Sequence, residues 1–212
     1  MAKKPWGGRF TQETNELTEE FTASVSFDKR LYRYDIRGSM AHCEALAQAG
    51  VISADEKATI LNALKEIEGE IEKGEFFSSS QLEDIHMHIE HRLLEKIGET
   101  GGKLHTGRSR NDQIALDLRL YLKEEAAAII DLLKGLQAGL VGAADKHIDV
   151  IMPGYTHMRK AQPILFSHHL LAYYEMFKRD RERLTDALGR IDCLPLGSGA
   201  LSGTPYSADR EY

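Results

Sequence analysis

The 212 residues carry 27 Lys and Arg against 33 Asp and Glu, which gives a formal net charge of -6. Because the basic residues are not gathered in one run, this balance excludes a general nucleic-acid binder and confines any binding of acidic ligands to local sites. The two cysteines, Cys43 and Cys193, are too few for a disulfide framework and are not spaced like zinc ligands. The N-terminus lacks the apolar core of a signal peptide, and no run approaches the roughly 18 consecutive apolar residues of a membrane span. We therefore expect a soluble, cytoplasmic protein without membrane or nucleic-acid partners.

Apolar residues at helical spacing predict three helices in the first half of the chain. The first follows Asp28 as its N-cap, the second opens at the capping box Ser53–Glu56, and the third ends at Gly98. We expect these helices to form a small N-terminal helical domain, residues 1–103.

Two much longer helices are predicted to follow. Ser109 can serve as the N-cap of the first, with Asp112 in the capping-box position, and Pro163 suits the first turn of the second. The segment Asp149–Gln162 between them is expected to be a loop. Strand patterns are almost absent, so the predicted fold class is all-α, with residues 104–212 forming an incomplete long-helix bundle. Each long helix has an apolar face too broad for the other to cover, so further sequence or other subunits must cover them.

The stretch Leu104–Asp117, LHTGRSRNDQIALD, predicts an anion site. A glycine-rich approach brings Arg108, Ser109 and Arg110 onto the first turn of a long helix. The free N–H groups and positive dipole end of that helix, beside two guanidinium groups, suit a carboxylate or a phosphate. The alternative is that the two arginines bridge acidic neighbours.

Three further clusters carry polar side chains at predicted helix ends or loops: Ser24–Asp28, Glu83–His86, and Gly154–His157 with Gln162. Together with the arginines they supply hydroxyls, an amide and histidines, a set suited to binding a polycarboxylate and moving protons. His157 has the alternative of capping its loop.

Two patterns resemble cofactor sites but are weak evidence for a bound metal or nucleotide. The run HMHIEH suggests a metal site, but His86 and His88 project roughly 200° apart on a helix, so we expect no metal there. The glycine-rich LPLGSG lacks the Lys and Ser/Thr order of a phosphate loop.

Several motifs in order resemble the argininosuccinate lyase family of the fumarase and aspartase superfamily. They are WGGRF at Trp6–Phe10, SFDKRLYRYDI at Ser26–Ile36, EDIH at Glu83–His86, GKLHTGRSRNDQ at Gly102–Gln113, GYTH at Gly154–His157 with AQP at Ala161–Pro163, and LPLGSGA at Leu194–Ala200. The HTGRSRNDQ motif is similar to argininosuccinate lyases rather than to fumarases, aspartases or adenylosuccinate lyases.

The resemblance implies an enzyme of arginine biosynthesis that reversibly eliminates fumarate from argininosuccinate and releases arginine. A base removes a proton beside the succinyl carboxylate, an aci-carboxylate intermediate forms, and an acid protonates the departing guanidino nitrogen. No metal or organic cofactor is implied. The family assembles as a homotetramer whose active sites form where several subunits meet.

The resemblance also implies which residues serve this reaction. The catalytic candidates are His157 and Thr156. The substrate-binding candidates are Ser26, Arg108, Ser109, Arg110, Asn111 and Thr156, and the supporting candidates are Asp84, His86 and Gln162.

The sequence departs from the family at a few positions. It has Leu116 where members usually have threonine, and Met158 and Arg159 where they have Leu and Gln. The pattern SSxMPxKxNP, whose serine is thought to be the family's base, is not among these residues, so we expect this chain alone to be inactive. Two alternatives remain: a non-enzymatic helical oligomer like the eye-lens crystallins, and a sister lyase acting on another succinyl adduct.

Overall fold

The computed structural model describes residues 14–76, 82–207 and 209–210. The motif at Trp6–Phe10 lies outside these described residues. By contacts the chain divides into two compact units: unit 1 comprises Met1–Tyr121 and Leu194–Tyr212, and unit 2 comprises Leu122–Cys193. The domain boundary expected between residues 103 and 104 stays a prediction.

Unit 1 is built from helices. They are α1 (Glu16–Thr22), α2 (Val25–Asp28), a 3-10 turn (Lys29–Leu31), α3 (Tyr32–Gln48), α4 (Ala54–Glu72), α5 (Ile85–Ile97), α6 (Glu99–Gly102), a second 3-10 turn (Lys103–His105) and the start of α7 (Arg110–Lys146). The three early helices are confirmed. Both hydrogen bonds of the capping box at Ser53 are present, and Gly98 ends α5 with a φ of 62°.

The prediction that Asp28 caps the first of these helices is wrong. Asp28 ends α2, and a 3-10 turn separates it from α3. Its carboxylate is engaged elsewhere, because Oδ2 accepts the Ser24 hydroxyl at 2.6 Å and Oδ1 accepts the Ile85 N–H at 3.2 Å.

The core of unit 1 lies between α3, α4 and α5. Its most completely buried aliphatic side chains are Ile36, Leu46, Ile60, Leu64, Ile67 and Leu93, each at most 1% exposed. Burying each such side chain contributes roughly 1.5–3 kcal/mol. The polar residues that α3 and α5 carry therefore stand on a rigid support.

Unit 2 contains a β-hairpin that the sequence did not predict. Strands β1 (Ile151–Thr156) and β2 (Arg159–Leu165) pair antiparallel, and α8 (Phe166–Ile191) begins only after them. The predicted loop at Asp149–Gln162 and the N-terminal helix position of Pro163 are both wrong. Pro163 lies in β2 opposite Pro153, and neither residue has an N–H to exchange across the pair. The all-α fold class is nevertheless confirmed, since the hairpin is the only sheet among the described residues.

Within unit 2, the later part of α7 and α8 run antiparallel. Gln137 donates to the Tyr174 carbonyl at 3.2 Å and accepts from Arg181 at 3.0 Å, while Lys123 pairs with Asp192 at 2.8 Å. The apolar face of α7 is only partly covered.

The length and composition of α7 would also suit a membrane span. One 18-residue window has a mean hydropathy of 1.4, and 11% of that window is buried. This is weak evidence for a membrane, because long helices of bundles that other helices cover pass the same test.

Candidate functional site

The first turn of α7 is capped as its sequence predicts. The Ser109 hydroxyl accepts the Asn111 N–H at 3.2 Å, and Asp112 Oδ1 accepts the Ser109 N–H at 2.9 Å. These reciprocal bonds satisfy two donors at the helix start. Asn111 is exposed and Arg110 is half-buried at the same helix end. Arg110 and Asn111 therefore lie where the helix dipole is positive.

Asp112 also holds the glycine-rich segment of the LPLGSGA motif. Its Oδ2 accepts the N–H of Gly197 at 3.3 Å and that of Gly199 at 2.8 Å. Gly199 has a φ of 62°, and a Cβ there would lie 2.8 Å from the Gly203 carbonyl oxygen, so only glycine fits. The spacing of these residues in the sequence does not predict this contact. The segment is a structural partner of α7 in unit 1.

Arg110 is held between two acceptors. Its Nη1 donates to Gln113 Oε1 at 2.5 Å, and its Nη2 pairs with Glu90. The side chain is 23% exposed. Arg110 therefore does bridge to an acidic neighbour, as the alternative interpretation expected. Part of its guanidinium group nevertheless faces solvent and is open to a ligand.

Arg108, in contrast, lies inside unit 1. It is 8% exposed, and its Nη1 donates to the Ser39 hydroxyl at 2.8 Å. Burial lowers the pKa of Arg108, and the nearby Asp35 carboxylate acts in the opposite direction. Its charge acts within the protein interior rather than at the open helix end.

Next to Arg108, His86 lies between two buried carboxylates. Its Nδ1 is 3.2 Å from an oxygen of Asp35 and 3.2 Å from an oxygen of Asp117. Burial alone would lower the His86 pKa, but contacts with Asp117 and Asp35 outweigh it and raise the pKa to about 10. Burial raises the pKa of Asp117 to about 7, whereas contact with His86 overcomes burial and lowers the pKa of Asp35. At neutral pH the imidazole is therefore protonated and Asp35 is ionised.

Asp35, His86 and Asp117 also present ligand atoms within 4.8 Å of one another, so their donor set fits a divalent cation. A cation would have to displace the His86 proton and sit beside the buried Arg108 charge. The guanidinium and the imidazolium already supply at least as much positive charge as Asp35 and the partly ionised Asp117 carry negative charge. The chemistry of this cluster therefore favours a proton over a metal.

The space inside the cluster is too small for a substrate. The cavity beside Asp35, His86 and Arg108 holds about 10 Å³, room for one water at most. A cavity of about 350 Å³ in unit 1 lies instead between α3 and the glycine-rich segment, and its lining mixes leucine and alanine with polar and charged side chains. Since it lacks the open helix end with Arg110 and Asn111, we do not assign the anion to it.

The segments of Ser26 and of Asp84 meet in unit 1. The N–H groups of Ser24 and Val25 donate to the Glu83 carbonyl at 2.8 and 3.1 Å, which fastens α2 to the start of α5. Ser26 is exposed on α2. Asp84 is the N-cap of α5, because its carboxylate accepts the Met87 N–H at 2.7 Å.

The remaining predicted residues belong to the hairpin of unit 2. Thr156 ends β1, Gln162 lies in β2, and His157 and Met158 form the tip, all of them exposed. His157 and Met158 have φ values of 50° and 61°, as the central positions of a type I′ turn require. The turn presents the His157 imidazole to solvent.

Comparison with known proteins places the chain in an enzyme class. A family model described as "Lyase" matches residues 8–212. The chain belongs to this lyase family.

The relatives within that class are more specific. The chain is 58% identical to an argininosuccinate lyase of Syntrophotalea carbinolica over all 212 residues, which make up 46% of that protein. It is 57% identical to an argininosuccinate lyase of Desulfatibacillum aliphaticivorans, covering 99% of this chain and 45% of that one. Among solved structures, an EDDS lyase in complex with formate is 29% identical with a TM-score of 0.78, over 92% of this chain and 38% of that chain. The chain thus spans about half the length of the curated relatives it matches.

Proposed function

We propose that this chain is part of an argininosuccinate lyase, which reversibly cleaves argininosuccinate into arginine and fumarate. The observation that carries the proposal is the start of α7, where Arg110 and Asn111 stand at a capped helix end in a sequence 58% identical to a protein of that name. A dicarboxylate product suits such a site, because helix N–H groups and a guanidinium both favour bound anions.

The reaction explains why these donors are needed. Removing a proton from the carbon beside a carboxylate places a second negative charge on that carboxylate. Donors aimed at it beforehand stabilise the charge as it develops. In our proposal Arg110, Asn111 and the helix amides bind the succinyl part of the substrate, with Ser109 holding the helix end and Ser26 as a further hydroxyl ligand.

Proton transfer is assigned to the hairpin. Its tip presents the His157 imidazole to solvent beside Thr156, and imidazole can give or take a proton near neutral pH. We propose that His157 serves in proton transfer, that Thr156 binds a substrate carboxylate and that Gln162 supports the strand. The base itself would come from another segment or subunit.

The proposed enzyme acts as a cytoplasmic homotetramer. The exposed apolar side chains on one face of α7 support assembly, and they include Ile129, Leu132 and Leu136, which are 43%, 74% and 46% exposed. Contiguous apolar surface of this kind is a usual sign of an interface.

Calorimetric titration of the chain with fumarate and with argininosuccinate tests the proposal. We expect both to bind and Arg110→Gln to abolish binding. Arg33→Gln is the matched control, since Arg33 is an exposed arginine that also pairs with a glutamate, Glu72. Absence of binding by a chain with intact helicity would favour the crystallin-like alternative.

A second measurement separates binding from turnover. The ultraviolet absorbance of fumarate reports release from argininosuccinate. We expect none from the chain alone, and rapid turnover would contradict the assignment of the base to another segment. Preference for a different succinyl adduct over argininosuccinate would favour the sister lyase.

A further inference from the structure

We propose that Gln113 is a positioning residue that aims the Arg110 guanidinium at the bound carboxylate, with the buried Asp35 as its anchor. The inference rests on the proposed function of the Arg110 site and deepens it. It assigns a role to an amide that does not itself meet the substrate.

The contacts form a continuous chain from the core to the site. Gln113 lies one turn after Arg110 on α7 and is 3% exposed. Its Nε2 donates to Asp35 Oδ1, and its Oε1 accepts from Arg110 Nη1 at 2.5 Å. Both ends of one buried amide are thus used, one toward the core and one toward the site.

The chemistry of its two partners permits only this amide orientation. An ionised carboxylate accepts hydrogen bonds and cannot donate, whereas a guanidinium donates and cannot accept. If the amide were turned over, its oxygen would face the Asp35 carboxylate and its NH₂ would face the Arg110 NH₂. Asp35 therefore fixes the direction in which Gln113 presents its oxygen.

Asp35 is itself held in place by burial and by a second contact. It is 1% exposed on α3, and the same oxygen that meets Gln113 lies 3.2 Å from His86 Nδ1. Since α3 belongs to the core of unit 1, the position of Arg110 is tied to the most rigid part of that unit.

Gln113 and Glu90 hold different nitrogens of Arg110, which fixes the plane of the guanidinium and not only its position. With Glu90 alone the group would pivot about one contact. An incoming carboxylate would then have to order the side chain, and ordering a long side chain lowers affinity. Gln113 is also uncharged, so Glu90 remains the one anionic partner among the described hydrogen bonds of Arg110.

The test compares Gln113→Met with Gln137→Met in the full chain. Gln137 is a matched control because it is also 3% exposed and also accepts a hydrogen bond from an arginine, Arg181. We expect Gln113→Met to weaken fumarate binding about tenfold, which corresponds to the loss of one hydrogen bond to a charged group. Gln137→Met should leave the affinity unchanged.

A ligand-independent measurement accompanies the titration. Guanidinium nitrogen NMR signals of Arg110, assigned by their disappearance in Arg110→Lys, should show slow rotation in the parent and averaging in Gln113→Met. If the parent binds no fumarate, the proposed function fails, while these signals still decide whether Gln113 orders Arg110. Unchanged signals in a folded Gln113→Met chain would overturn the inference.

A second substitution guards against loss of folding. Gln113→Asn keeps both amide groups but is one methylene shorter, so it can satisfy Asp35 without reaching Arg110. We expect it to fold, to average the Arg110 signals and to weaken fumarate binding. Parent-like affinity together with parent-like signals in Gln113→Asn would contradict the positioning role.

Discussion

The carboxylate of Asp112 accepts the backbone N–H of Gly199 at 2.8 Å, across 87 residues of sequence. Its other oxygen accepts the N–H of Ser109 at 2.9 Å. One side chain therefore closes the capping box of α7 and also fastens the glycine-rich segment to it. The anion-binding end of the helix is stabilised by a contact that local sequence does not reveal.

This double role predicts that loss of the Asp112 carboxylate destabilises the protein more than loss of a carboxylate that does not also hold a distant segment. Asp112→Asn replaces one acceptor oxygen with an NH₂ that faces backbone N–H groups. We expect a loss of about 1–3 kcal/mol in the free energy of unfolding, the usual cost of an unsatisfied buried donor. The comparison is Glu56→Gln, which alters the capping box of α4, where Glu56 accepts the Ser53 N–H at 2.9 Å and also pairs with the exposed Lys103. Urea denaturation should show a clearly smaller loss for Glu56→Gln, and equal losses would contradict the role of Asp112 as a clamp.

The cluster around His86 gives a second prediction. His86→Gln leaves the Asp35 and Asp117 carboxylates buried without a cation between them, a change that typically costs about 3–5 kcal/mol. Asp117→Asn should cost less, because burial raises the pKa of Asp117 to about 7, so its surroundings already accept a neutral group. Denaturant unfolding at neutral pH measures the loss of unfolding free energy in each variant. A larger loss in Asp117→Asn than in His86→Gln would refute the prediction.

Local signals in the sequence predicted several helix ends correctly, although the starts expected at Asp28 and Pro163 are wrong. Ser53 with Glu56, Ser109 with Asp112, and Gly98 each act through hydrogen bonds or backbone angles within a few residues. Such features can be recognised from a short window because the interacting groups are neighbours in the chain.

The missed features depend on distant or atypical residues. The hairpin is hard to predict because its strands contain Pro153 and Pro163, and proline usually argues against a strand. Its turn has His157 and Met158 where Asn-Gly is the common signal. In the site, the pairing of Arg110 with Glu90 crosses 20 residues, so spacing alone could indicate an anion site without revealing the acidic partner.

A third prediction concerns acid stability. His42 is 7% exposed, its Nε2 lies 3.0 Å from the Thr106 carbonyl oxygen, and burial lowers its pKa to about 4, with Arg108 acting in the same direction. The unfolded value is near 6.5. The folded state therefore resists protonation, and the stability that His42 contributes is complete above pH 6.5 and is lost as the pH falls toward about 4.

The pH dependence of the unfolding free energy can be tested by comparing the parent with His42→Gln. Glutamine can still donate to the Thr106 carbonyl but does not titrate. We expect the difference in unfolding free energy between the two proteins to shrink steadily as the pH falls from about 6.5 to about 4, since that is the window between the two pKa values. A constant difference would show that His42 binds protons equally in the folded and the unfolded chain, which would contradict the prediction.

The tip of the hairpin offers the last prediction. Met158 is 98% exposed with a φ of 61°, so its side chain packs against almost nothing while its backbone is held in a region that favours glycine. Met158→Gly should therefore stabilise the hairpin, by about 0.5–1 kcal/mol, and leave His157 in place. Arg159→Gly is the control, because that exposed residue lies in β2, where glycine brings flexibility without relieving strain. Hydrogen exchange of the hairpin amides should slow in Met158→Gly and quicken in Arg159→Gly, and faster exchange in both would show that the turn carries no strain.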